Sequence, residues 1–128
     1  RFAEFEKTAY PDGHTTIGVR LEWSEEQVFH VEEDGSQTRE GETRAAALAV
    51  LRAVEMATQG NLSIDLMGAK AVRVFDSWVV IVSARAKSDE SEYNLVGSYA
   101  CADDGTARGA ALAALSATNR VVERYLTS

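Results

Sequence analysis

The sequence predicts an α+β fold, a duplicated βββα unit in which an antiparallel sheet carries two helices packed on one face. Three observations predict it. The alanine-rich segment 43–53 returns as 107–117, so that Arg44, Ala46, Ala47, Leu48, Ala49, Leu51 and Ala53 reappear as Arg108, Ala110, Ala111, Leu112, Ala113, Leu115 and Ala117. One offset, half the chain length, relates every pair, and Gly41 precedes the first copy as Gly105 precedes the second. Such self-similarity defines the architecture before any motif is consulted. Ahead of each copy, apolar residues alternate with polar ones at the period of a strand. Turn residues fall at corresponding places in the two halves, at Pro11 to Gly13 and at Asp76 to Ser77.

The elements follow in order. Residues 1–10 read as a short strand, ended by the turn signal Pro11, Asp12, Gly13. From Thr15 to Trp23 the residues Ile17, Val19, Leu21 and Trp23 share one face, the mark of a half-buried strand. Ser24, Glu25 and Glu26 turn the chain into a third strand, Gln27 to Glu33, which completes an antiparallel hairpin. Residues 34–41 are polar and loop-like. Residues 42–59 then switch to helical spacing, with Ala47, Leu48, Leu51 and Val54 as the apolar stripe and Val50 at its edge. Alanine favours the helix intrinsically, and Gly60 with Asn61 stops it.

The second half repeats the order. Residues 62–74 form a strand in which Gly68 marks a bulge, Trp78 to Ala86 is an almost unbroken apolar strand, and residues 87–91 turn into a strand over 93–102. Asp103, Asp104, Gly105 and Thr106 lead into a last helix ending near Leu126. The chain is thus one domain, 1–128, made of repeats 1–60 and 61–128, neither of which could bury its own apolar face alone. The helices align without gaps. The strands slip by a residue, because the apolar parity of Ile17 to Trp23 does not match that of Trp78 to Ala86.

Composition narrows the function classes. The chain has 128 residues, 45% hydrophobic and 26% charged, with a formal net charge of -7. An acidic surface repels phosphate backbones, so neither nucleic acid nor an anionic membrane is an expected partner. A single cysteine, Cys101, forbids an intrachain disulfide and fits a cytoplasmic location. No apolar run reaches membrane-spanning length and no secretory signal is present. The first residue is Arg1 rather than Met, as in a piece of a longer polypeptide.

Few residues suggest chemistry. His14 and His30 have no second ligand type at metal-binding spacing, so no metal and no cofactor is expected. Cys101 has no histidine placed to activate it, and acidic clusters such as Glu25–Glu26 and Glu32–Asp34 read as solvated turns. An enzymatic reading would rest on these groups alone, and the chain is read as a non-enzyme. Arg44 and Arg108 stand out because a cation in the first helical turn opposes the helix dipole. Either each pairs with a neighbouring carboxylate, or each makes an anion site beside free backbone N–H groups. Asn119 falls on the stripe of Leu112, Leu115, Val122 and Leu126, where a buried amide must be hydrogen-bonded. It would tie the helix to a strand end or loop, or else contact a ligand. Its counterpart is Glu55. Alanine around the rest of each helix means either simple helix propensity or one further contact, such as a dimer interface.

Taken in order, Leu62 to Leu66, Ala71 to Val74, Val96 to Ser98, Asp103 to Gly105, and Ala110 through Ala117, Thr118, Asn119 and Arg120 resemble the C-terminal regulatory (dimerisation) domain of the 2-isopropylmalate synthase and citramalate synthase family. The resemblance spans nearly the whole chain in element order and is most specific at Ala117 to Arg120. It implies a duplicated βββα module that dimerises and takes a feedback amino acid in the loops before its helices. Those loops differ here: residues 39–43 hold one glycine and no proline, and residues 104–109 replace an Asp-Ile-x-x-Ala-Ser segment. The family's catalytic barrel is absent.

The expected function is therefore a non-catalytic regulatory module, a homodimer or a subunit of a larger assembly, binding a small carboxylate metabolite such as an amino acid. Arg44 and Arg108 would hold the carboxylate, Gly41 and Gly105 would admit close backbone approach, and Asp104 would take an amino group. The alternative is a structural oligomerisation or scaffold subunit with no ligand.

Overall fold

In the computed structural model, which describes residues 2–24 and 27–126, eight elements run β1 (Phe2–Ala9), β2 (His14–Ser24), β3 (Gln27–Ser36), α1 (Arg39–Ala57), β4 (Ser63–Val74), β5 (Ser77–Lys87), β6 (Glu92–Cys101) and α2 (Thr106–Leu126). The α+β class and the repeated βββα order are as the periodicities predict. The turn glutamates Glu25 and Glu26, and the residue Arg1, lie outside the described residues.

The sheet is divided. β1, β2 and β3 form one antiparallel sheet and β4, β5 and β6 another, and no strand of one is a neighbour of a strand of the other. The helices join them instead. α1 packs on β2 and β3 of its own repeat, on β4 of the next, and against α2; α2 packs on β5 and β6. This explains the alanine that surrounds each helix. Ala45, Ala46, Ala47, Ala49 and Ala53 are all buried in α1, and Ala107, Ala110, Ala111, Ala113 and Ala114 in α2. The second contact that this alanine serves lies within the chain, helix on helix, so it needs no second copy.

The inner faces of the sheets alternate as half-buried strands do. Thr15, Ile17, Val19 and Leu21 point inward from β2, and Val80, Val82, Ala84 and Ala86 from β5, each no more than 1% exposed. These two sets are displaced by one residue relative to the helix alignment, the slip that the apolar parity predicts. A bulge is duplicated as well. The register shifts between Phe2 and Glu4 in the first hairpin and between Leu66 and Gly68 in the second, the same two repeat positions.

α1 begins earlier than its apolar spacing indicates. Thr38 is its N-cap, and its hydroxyl accepts the Gly41 N–H at 2.9 Å. Glu42 in the first turn anchors the helix to the first sheet, accepting the buried Thr15 hydroxyl at 2.7 Å and pairing with Lys7 at 3.2 Å. The β3–α1 junction is tight: a Cβ on Gly41 would lie 2.8 Å from the Ser36 nitrogen and closer still to its hydroxyl.

The β4–β5 turn places a bulky residue in the left-handed region, Phe75 at φ 54°, with its ring 94% exposed. Such a conformation costs an aromatic residue on the order of 1 kcal/mol and costs glycine almost nothing. Phe75→Gly is therefore expected to raise stability by about 0.5 kcal/mol, after part of the gain is lost to unfolded-chain entropy. The midpoint of urea unfolding reads this directly, and a lower midpoint would refute it.

Candidate functional site

Three residues far apart in sequence meet where the two repeats join. Arg39 opens α1, Trp78 lies near the start of β5, and Asp103 sits in the loop before α2. The Arg39 guanidinium lies 4.1 Å from the Trp78 ring centroid. It donates to the Asp103 side chain and to the Asp103 carbonyl, both at 3.2 Å. Asp103 Oδ1 also accepts the Trp78 indole N–H at 2.6 Å. A second guanidinium, that of Arg73, is 5.7 Å from the same ring and 3.9 Å from the same carboxylate oxygen. Two cations thus converge on one aromatic face, where cation–π attraction holds them, and one carboxylate balances them in part.

Arg39 and Trp78 of this cluster edge a cavity of about 630 Å³ beside the first turn of α1 and the strands β4 and β5, lined also by Glu40, Thr43, Ala69, Lys70, Ala71, Ile81 and Ser83. The volume is that of a small-molecule site, and the mixture of an apolar wall with a few convergent polar groups is usual for one. A second cavity of about 480 Å³, between β6 and α2, is lined by Tyr93, Asn94, Val96, Ser116 and Val121 among others, with no charged side chain among the described residues.

The residues singled out from the sequence lie elsewhere. None of Gly41, Arg44, Asp104, Gly105 and Arg108 lines the larger cavity. The space beside Gly41 is taken by Ser36 of β3, so its close approach is to the protein itself. Arg44 is exposed and, among the described residues, pairs with no carboxylate. Arg108 is exposed too, with its guanidinium 5.6 Å from the Phe2 ring centroid. Asp104 is exposed, and Gly105 lies in a turn whose N–H donates to the Ala102 carbonyl at 3.0 Å. The duplicated arginines face outward because the inward positions of the first turns belong to Thr43 and Ala107.

Asn119 is exposed rather than buried. The inward stripe of α2 runs through Ala110, Ala111, Ala114, Thr118, Val121 and Val122, rotated from the stripe of Leu112 and Leu115. Thr118 takes the interior polar position, and its hydroxyl donates to the Ala114 carbonyl at 3.2 Å. The tie between a helix and a strand end belongs to Glu55, whose carboxylate accepts the Ile64 N–H at 2.6 Å at the start of β4.

Other reactive groups are engaged locally. His14 stacks on Tyr10 at 4.5 Å and bonds through Nδ1 to Asp12, which holds the Asp12 carboxyl below its usual range. His30 lies 4.0 Å from Glu32. Burial pushes the Cys101 thiol up, against a weaker opposing pull from Arg39. Among the described residues no three metal-ligating side chains come together, and no helix is long and apolar enough to cross a membrane.

Arg39 carries no helical signal in the sequence, because residues 34–41 read as loop. The available signal was Thr38, a capping residue followed by the acidic first-turn residues Glu40 and Glu42. No family model and no curated protein matches the chain.

Proposed function

We propose that this chain is a non-catalytic regulatory module, working as a homodimer, that holds a small carboxylate-bearing metabolite such as an amino acid in the cavity beneath the first turn of α1. The observation that carries the reading is the cavity itself, edged by a guanidinium whose only carboxylate partner among the described residues is the exposed Asp103. A ligand carboxylate would bind Arg39 by charge-assisted hydrogen bonds, its apolar part would rest on Ala69 and Ala71, and Glu40 would take an amino group. Arg39 replaces Arg44 and Arg108 in this role because it alone of the three lines the cavity. The raised Cys101 pKa supports a non-catalytic reading, since the thiolate is the reactive form.

Calorimetric titration with amino acids and 2-oxo acids tests the proposal. At least one should bind, and Arg39→Ala should weaken it about 10-fold or more, the loss expected for a charged hydrogen-bonding partner. Arg44→Ala should leave the affinity unchanged. Absence of heat with every compound, or equal binding by Arg39→Ala, would sink it. The second reading, a scaffold subunit without a ligand, is favoured by the exposed apolar residues Ile81 and Val96 on one sheet. A stable macromolecular partner that co-purifies with a chain binding none of the compounds would establish it.

A further inference from the structure

The two sheets descend from one repeated sequence, yet their outer faces have diverged in opposite directions. In each sheet the inner residues of the middle strand are fully covered by the helices, so the intervening residues point outward. From β2 these are Thr16, Gly18 and Arg20; from β5 they are Val79, Ile81 and Ser83. The register makes the comparison direct. Thr16 pairs with Thr8 and Asp34, whereas Ile81, on the outer face of the other middle strand, pairs with Lys70 and Ser98. Gly18 pairs with Glu6 and Glu32, whereas Ser83 pairs with Gly68 and Val96. One face presents threonine, carboxylates, Arg20 and His30, with a single exposed valine, Val28, among the described residues. The other presents a band of Val72, Val79, Ile81 and Val96, of which Ile81 is 40% exposed and Val96 68%.

An apolar band on an outer sheet face is not needed for the fold. The first repeat has the same strands and manages with a polar face. Scattered exposed apolar residues are ordinary, but a contiguous band across paired strands marks a contact surface. Its charges are also unlike those of the rest of the molecule. The chain carries a net charge of -7, and like-charged copies repel one another over most of their surface. On this face Lys70, Arg85 and Lys87 stand against Asp65 and Glu92, with Arg85 and Glu92 only 3.3 Å apart. Of the two outer sheet faces it is therefore the one on which two copies meet less repulsion.

We propose that two copies of this chain associate through the outer face of β4–β5–β6, sheet against sheet about a twofold axis. The inference names the surface for the homodimer already proposed; Ile81 and Ser83 of this face also line the cavity, so its test reads association rather than ligand binding. An isologous pairing suits an apolar patch that is its own complement, and facing sheets pack about 10 Å apart. The strands have 10 to 12 residues, so at about 3.3 Å per residue and 4.8 Å between strands the face covers roughly 500 Å² per copy. The pair would bury on the order of 1,000 Å², at the lower bound for a specific interface, which fits a reversible dimer of micromolar affinity.

Sedimentation equilibrium over a range of concentrations tests this. The wild-type chain should dimerise. Ile81→Thr and Val96→Glu install residue types that the outer face of the first sheet already carries, so the sheet should tolerate them. Together they should weaken dimerisation at least about 10-fold while the circular dichroism and thermal unfolding of the monomer are kept. Val28→Asp, on the outer face of the first sheet, should change nothing. A wild-type chain that stays monomeric at about 100 μM, a concentration well above a micromolar constant, would overturn both the dimer and its surface. A dimer that survives Ile81→Thr with Val96→Glu would overturn the surface and leave the dimer standing. A monomer that co-sediments with neutral phosphatidylcholine vesicles would assign the face to lipid and overturn the proposal.

Discussion

Gly97→Ala is expected to destabilise the chain by about 3 kcal/mol, the upper end of the usual cost of overpacking. Gly97 lies in β6 directly against α2. An added Cβ would stand 2.6 Å from the Ala117 nitrogen and 3.0 Å from its Cα, and nearer still to the Ala113 carbonyl oxygen. All three atoms belong to helix backbone, so no side chain can rotate away. β6 would have to lift off α2, loosening the contacts of the half-buried Leu95 and Tyr93 on the same face. Gly68→Ala is the matched control, because nothing lies within 4 Å of its added Cβ. Urea unfolding should show a much lower midpoint for Gly97→Ala at an unchanged slope. Two variants within about 0.5 kcal/mol of each other, the range of ordinary surface substitutions, would mean that strand and helix do not approach so closely.

Leu51→Ala should cost about 3 kcal/mol, and Leu115→Ala, the same change at the same repeat position, only about 1 kcal/mol. Leu51 is fully buried between its sheet and the neighbouring elements. Its removal deletes apolar contact and leaves a cavity that the alanines around it cannot fill. Leu115 is only partly buried, on the flank of α2. The duplicated sequence places identical residues at both sites, so any difference must come from tertiary surroundings. Equal losses in paired denaturation curves would mean that the two helices sit in equivalent environments, contrary to their burial.

These two pairs show how far the sequence was legible. The element order and strand parity could be read because each depends on periods of two or 3.6 residues within a short window. The helix alignment and the one-residue slip of the strands could be read in the same way. The start of α1 was missed because its first turn, Arg39 to Glu42, has no apolar residue to set a period. Only the Thr38 cap marks it. The orientation of α2 departs from its leucine pattern for a related reason. Its leucines suggest one stripe, while the buried face is made of alanine and Thr118, whose small side chains give a weak periodic signal.

The candidate site was less legible than the fold. The recurrence of Arg44 as Arg108 drew attention to residues that face outward. Arg39 and Trp78, which edge the cavity, and their partner Asp103 have no counterpart in any repeat pattern: the residue corresponding to Asp103 is Arg39 itself. Repetition points to what both halves share, whereas this cluster forms where the halves differ and meet.

By itself the sequence determined a duplicated βββα chain, its acidic character, and the alanine-rich helices thin enough for close packing. Only the tertiary structure decided that the strands divide into two sheets, that the helices join them, and that Arg39 rather than Arg44 reaches the cavity. It also decided which outer face is left apolar. The physical reason is range. Helix and strand patterns are local, set by a few neighbours along the chain. The junction of the repeats is set by which surfaces α1 and α2 bury together, and that choice brings together side chains as distant in sequence as Arg39 and Asp103.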